Sequence, residues 1–119
     1  MHQFKPFFLS SIVCGGYTRR KLYKSSCHIY KNGTWIEHAN MDTTRSAFAG
    51  TAVNGKLMVS GGLASKWRRL DSVEYIDADG SVSIGKKLPG KRTGHRAVTL
   101  HDGRVMLVGG YPAGCSQKV

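Results

Sequence analysis

Three glycine pairs punctuate this chain at nearly even intervals: Gly15-Gly16, Gly61-Gly62 and Gly109-Gly110. Their first glycines stand 46 residues apart (61 − 15) and then 48 (109 − 61). Each pair closes a run of strand formers: Phe7 to Cys14, Lys56 to Ser60, and Arg104 to Val108. A period of this size marks a repeated supersecondary unit. Such a unit cannot bury its own apolar face and stacks against its copies, usually as a scaffold that presents loops.

One unit reads in full between Arg45 and Leu88. Arg45 to Val53 is small and β-compatible, and Asn54-Gly55 follows as a hairpin turn whose residues tolerate positive φ. Lys56 to Ser60 returns to Gly61-Gly62, where the backbone bends or meets a neighbour closely. A loop from Leu63 to Leu70 leads to a third strand, Asp71 to Ile76. The turn Asp77-Ala78-Asp79-Gly80 leads to a fourth, Ser81 to Ile84, which alternates like a half-buried strand. The spacing predicts a four-stranded up-and-down meander and no long helix. The flanks align with it: Arg45 with Arg92, Met41 with Leu88, and Asn54-Gly55 with His101-Asp102-Gly103. On the other side, the turn Lys31 to Thr34 aligns with Asp77 to Ser81, and Trp35 takes the place of Val82.

These residues resemble the kelch repeat. Its marks are a strand ending in Gly-Gly, a tyrosine in the third strand, a tryptophan in the fourth and an arginine opening the next unit. Gly15-Gly16, Tyr30, Trp35 and Arg45 come in that order; Gly61-Gly62, Tyr75 and Arg92 follow, with Val82 for the tryptophan. The third unit has Gly109-Gly110 and then stops. The resemblance implies an all-β fold, a partial kelch-type β-propeller of four-stranded antiparallel meander blades. Residues 1–44 are then strands two to four of one blade, 45–88 a complete blade, and 89–119 strands one and two of a third.

Propellers have about 4 to 8 blades, and 119 residues supply about two blades' worth of strand. The partial blades would expose apolar faces and open edges. The expectation is a fragment, completed by the remaining blades of a longer chain; self-association of several copies is the alternative.

Charge sharpens the functional reading. The chain holds 18 Lys and Arg against 7 Asp and Glu, a net +11 with histidine neutral. That balance favours acidic partners without deciding the fold. In a meander, the loops between strands two and three share one rim with the connections between blades. Arg19, Arg20, Lys21 and Lys24 fall in one such loop and Lys66, Arg68 and Arg69 in the next; Lys86, Lys87, Lys91 and Arg92 fall in a connection. The opposite rim has Asp77, Asp79 and Asp102 beside Lys31, Lys56 and Arg104. The basic rim points to capture of protein, such as an acidic segment, with Trp67 as an aromatic anchor. The resemblance supports this, because the family commonly presents these loops to protein partners. Polyanion binding, to nucleic acid or a sulfated glycan, is the alternative. Solvated loop charge with Trp67 tucked on the blade edge is the plain reading.

Other signals carry less. Gly85 to Thr93 approaches a phosphate-binding loop, but Arg92 stands where Ser or Thr must follow the lysine, and a strand follows instead of a helix. Cys14 and Cys27 lie on neighbouring strands, within disulfide reach if the register agrees, and otherwise are two small buried side chains. Cys115 has no visible partner. Asn32-Gly33-Thr34 is an N-glycosylation sequon, or simply a turn. Together the sequon and the cysteine pair lean towards a secreted setting, with a cytoplasmic one left open. Phe7 to Cys14 behind Lys5 imitates a signal-peptide apolar run, but its phase with the other glycine pairs favours a buried strand. No apolar stretch is long enough for a membrane helix. The histidines have no metal-ligand spacing, and no cofactor is called for. No nucleophile elbow or paired carboxylates appear, so a fragment of a galactose-oxidase-like enzyme propeller is a more remote alternative resting on fold analogy.

Overall fold

The computed structural model describes residues 11–17 and 23–111, with the backbone of 117–118. The described residues form three antiparallel sheets. The first runs in the order β1 (Ile12–Cys14), β2 (Ser26–Lys31), β3 (Thr34–Asn40). The second is the complete meander β4 (Ala49–Val53), β5 (Lys56–Ser60), β6 (Val73–Ile76), β7 (Val82–Ile84). The third pairs β8 (Arg96–Thr99) with β9 (Val105–Val108), and β10 (Gln117–Lys118) adds to β9. The fold is all-β, and its meander sheets are blades of the kind foreseen. The third sheet has one strand more than the two anticipated. Gln117 and Lys118 are polar and only two residues long, so they left no periodic signal.

Asn54 and Gly55 turn with φ of 50° and 78°, the paired left-handed geometry that suits a tight hairpin. The first strand of the second blade begins at Ala49 rather than at Arg45. Ala47 has φ 52°, which kinks the chain out of the strand. Before the kink, Ser46 bridges Leu63.

Two apolar layers lie between the blades. Cys27, Ala39 and Met41 of the first blade close on Val59 and Ile76 of the second. Val53, Met58 and Val73 of the second close on Val105 and Leu107 of the third, with Leu88. Met41 and Leu88 play the same part, one in each layer, each about 4% exposed.

The glycine pair joins blades through its backbone. Gly16 N–H donates to Arg45 O (2.7 Å), and Gly62 N–H donates to Arg92 O (2.8 Å). A Cβ on Gly15 or Gly61 would lie 2.4 Å from the same two oxygens, so no larger residue fits. The period seen in the sequence is therefore the period of these blade-to-blade bonds.

One correspondence needs correction. Tyr30 is not the counterpart of Tyr75. Tyr30 pairs with Trp35 as Ile76 pairs with Val82, and Ile12 pairs with Ile29 as Met58 pairs with Tyr75. Tyr30 thus takes the place of Ile76, and Ile29 that of Tyr75. A slip of one residue reverses the face: Tyr75 packs into the layer towards the third blade, whereas Tyr30 is 45% exposed on the outer side of the first.

Candidate functional site: an aromatic and basic rim

Loops after the glycine pairs and connections between blades share one rim, tied by repeated backbone bonds. Met41 N–H donates to Ser25 O and Leu88 N–H to Asp71 O, both at 2.8 Å; Arg45 N–H donates to Lys24 O and Arg92 N–H to Leu70 O. These bonds join the loops and connections that carry Lys24, Lys66, Arg68, Arg69, Lys86, Lys87 and Lys91. All are exposed except Arg69, which is partly buried. Arg19, Arg20 and Lys21 lie outside the described residues. Arg92 does not add to the surface charge, because its side chain turns inward and is 5% exposed. Its guanidinium donates to Gly109 O.

Trp67 is the most unusual residue of the rim. The segment 63–70 folds back on itself: Leu63 bridges Arg69, Ala64 N–H donates to Arg68 O (2.7 Å), and Leu70 N–H donates to Gly62 O (2.9 Å). At its tip, a 3-10 turn at Ser65–Trp67, Lys66 and Trp67 adopt φ of 60° and 59°. Left-handed backbone at a non-glycine residue costs on the order of 1–3 kcal/mol, and such residues cluster at functional sites. The strained turn leaves Trp67 59% exposed rather than tucked against the blade.

Trp67 is not isolated. It meets Tyr17 of the first blade edge-on (centroids 6.0 Å, 75°), and Tyr17 lies 6.1 Å from Tyr23. At the other end the Arg69 guanidinium sits 5.0 Å over the ring of Tyr111, a cation–π distance. Tyr17 and Tyr111 are 52% and 66% exposed. Sequence reasoning missed these tyrosines. The available signal was positional: Tyr17 and Tyr111 each directly follow a glycine pair, as Leu63 does.

The opposite rim is chemically quiet. Asp102 accepts from Arg104 N–H and pairs with its guanidinium (2.8 Å). Those bonds lower the Asp102 pKa, and bonds from Ser81 lower that of Asp79. Lys56 lies 3.7 Å from Asp77. A cavity of about 720 Å³ opens between β4 and β8 at this end, lined by Thr51, Val53, Val98, Thr99 and His101 among others. The Thr51 and Thr99 hydroxyls are bonded to each other (2.8 Å), and Asp102, also in the lining, is paired with Arg104. No acid and base stand ready together there. Among the described residues no group of three His, Cys, Asp or Glu could hold a metal ion, and no helix is long and apolar enough to cross a membrane.

Of the remaining sequence candidates, Cys14 and Cys27 are register partners across β1 and β2, with sulfurs 2.10 Å apart. Asn32 is exposed in the β2–β3 turn, with φ 51°. Gly85 to Thr93 runs into strand β8 and not a helix, so it is no phosphate loop. Cys115 and Phe7 to Ser10 lie outside the described residues.

Residues 44–81 match the family model for the Kelch motif, and the span covers most of the second blade, from Thr44 through β4, β5 and β6 to Ser81. The second blade is a kelch repeat. No curated protein matches it. Kelch repeats generally mediate protein interactions and are typically non-enzymatic.

Proposed function

We propose that this kelch chain is a non-catalytic module that binds an extended acidic protein segment along its aromatic and basic rim. The observation that carries the reading is Trp67. Two successive strained residues hold an exposed indole against Tyr17, amid Lys66, Arg68 and Arg69. An aromatic ring fixed in place loses little entropy on binding, and Trp and Arg are the residue types that dominate binding hot spots. Exposed Lys24, Arg68, Lys86, Lys87 and Lys91 supply the positive field that steers an acidic chain to the rings. The quiet opposite rim supports recognition rather than chemistry.

The test uses an array of acidic peptides, with heparin and single-stranded DNA as competitors. A selective peptide should bind, and Trp67→Ala should weaken it at least about tenfold. The same change should leave stability within about 0.5 kcal/mol, since the ring is exposed. Heparin and DNA binding as tightly as the best peptide, with a steep salt dependence and no loss in Trp67→Ala, would instead establish polyanion binding.

A further inference from the structure

Asn32, Gly33 and Thr34 sit in the hairpin turn between β2 and β3, and all three are exposed. Lys31 pairs with Thr34 across the base of the turn, and Asn32 and Gly33 take φ of 51° and 80°. The turn Asn54-Gly55 has the same geometry, with φ of 50° and 78°. There the next residue is Lys56, which pairs with Val53. A tight hairpin asks for Asn and Gly; it does not ask for a hydroxyl two residues after the Asn. Thr34 supplies that hydroxyl and completes the acceptor sequence for an N-linked glycan. Of the three asparagines, Asn32, Asn40 and Asn54, only Asn32 has Ser or Thr at that position.

The second blade shows that a neighbouring blade leaves such a turn open. Its matching turn lies between Ile76 and Val82, the counterparts of Tyr30 and Trp35. The first blade presses on that turn at Gly80, where a Cβ would meet His38 O at 2.4 Å. Counted from either side, Asn32 matches Ala78 or Asp79, and Thr34 matches Ser81; all three counterparts stay exposed. A further blade packed in the same way on the first sheet would therefore leave both Asn32 and Thr34 in water. By strand order the turn also belongs to the rim opposite Trp67, so a sugar chain there would not obstruct the aromatic and basic residues.

An independent feature of the same sheet agrees. Cys14 and Cys27 are joined as a disulfide across β1 and β2. Disulfides persist in secreted proteins and in the lumen they pass through, and are rare where glutathione keeps thiols reduced. That lumen is also where asparagine glycans are added. We propose that Asn32 carries an N-linked glycan, added in the oxidising compartment that closes the bond between Cys14 and Cys27. In the transfer, Asn32 Nδ2 bonds to C1 of a lipid-linked oligosaccharide and the bond from C1 to the lipid diphosphate breaks. The diphosphate leaves with the electron pair, and the amide proton passes to a base of the transferase. The Thr34 hydroxyl is what the transferase reads. The glycan stands at the head of β3, a seven-residue edge strand that exposes Ile36. A bulky, solubilising group at that place hinders pairing with a strand of another chain.

The natural protein, isolated from the cells that make it and unfolded, should lose the mass of one glycan on treatment with peptide N-glycosidase, which leaves aspartate at position 32. Before reduction, Cys14 and Cys27 should escape alkylation. For variants, the 119-residue chain is secreted from eukaryotic cells behind a cleavable signal. Asn32→Asp and Thr34→Ala should each abolish the mass shift, and Thr34→Ser should retain it. Aspartate tolerates left-handed φ and Thr34 is exposed, so the hairpin should persist in all three. Trp67→Ala should carry the glycan like the parent, which keeps this test separate from that of the rim. Natural protein with unmodified Asn32, or with free Cys14 and Cys27, overturns the proposal. So does a secreted parent without the shift, or a shift that survives Thr34→Ala.

Discussion

Arg45 and Arg92 open successive blades from the same register position, yet they end in different company. The Arg45 guanidinium donates to Gly61 O, Ser72 O, Ser72 Oγ and the Glu74 carboxylate, the last at 2.7 Å. Glu74 in turn accepts from the backbone N–H groups of Asp42 and Thr43, in the connection from the first blade. One buried ion pair thus ties strands two and three of its own blade to the preceding one. Arg92 makes the matching bond to Gly109 O. It has no carboxylate partner among the described residues. The difference teaches that the repeat arginine is a closing device. It needs an acid on the third strand, and among the described residues Glu74 of the second blade supplies it.

Breaking the device should give the largest effect. Glu74→Ala leaves Arg45 buried and uncompensated, which costs about 3–5 kcal/mol. That is a large part of the 5–15 kcal/mol typical of a domain. Arg45→Met should cost a similar amount by stranding Glu74. Arg92→Met strands no acid, so the unfolding free energy from urea melts should change by no more than about 1 kcal/mol in either direction. Equal losses in the two arginine variants would show that the comparison is wrong and that both arginines act mainly through backbone carbonyls.

The glycine pairs give the next contrast. Gly61 and Gly109 both have positive φ, 63° and 72°, so alanine at either meets a left-handed penalty of about 1–2 kcal/mol. A Cβ on Gly61 would also lie 2.4 Å from Arg92 O and 2.8 Å from His95 Cε1, whereas on Gly109 it meets nothing within 4 Å. Gly61→Ala should therefore cost about 1–3 kcal/mol more than Gly109→Ala. Matching denaturation midpoints would mean that the blades shift apart to admit the methyl group.

These contrasts also show what the sequence could disclose. The arginines, Met41 with Leu88, and the Asn54-Gly55 turn were legible because each repeats at a fixed offset or carries a local backbone rule. Glu74 was not, since one acid in an alternating strand looks like an outward side chain until its partner is known. Tyr30 misled because a tyrosine near the right place satisfies the pattern, while one residue of register decides the face. Along the rim, strand parity alone supplies the expected grouping of the charges. The edge-on contact of Tyr17 with Trp67, and the turning inward of Arg92, depend on how two blades meet.

The smallest effect concerns the residue that distinguishes the two layers at their rim ends. Phe48 and His95 are counterparts, each three residues after its arginine, and His95 is 3% exposed. His95 Nε2 lies 3.0 Å from Ser60 Oγ, and Nδ1 is buried without a partner. A bare Nδ1 with Nε2–H donating to Ser60 suits the neutral ring; an imidazolium would bury an unpaired donor. Burial first, and then the Arg92 guanidinium, lower the His95 pKa below its ordinary 6.5. The unfolded chain therefore binds this proton at a higher pH than the folded one. The His95 contribution is full above pH 6.5 and is lost as pH falls through that value towards the folded pKa. Urea midpoints at mildly acid and mildly alkaline pH should thus differ more in the parent than in His95→Phe, which installs the ring of the other layer. A pH dependence unchanged by the substitution would mean that His95 takes its proton in place, with Ser60 and Arg92 moving to admit it.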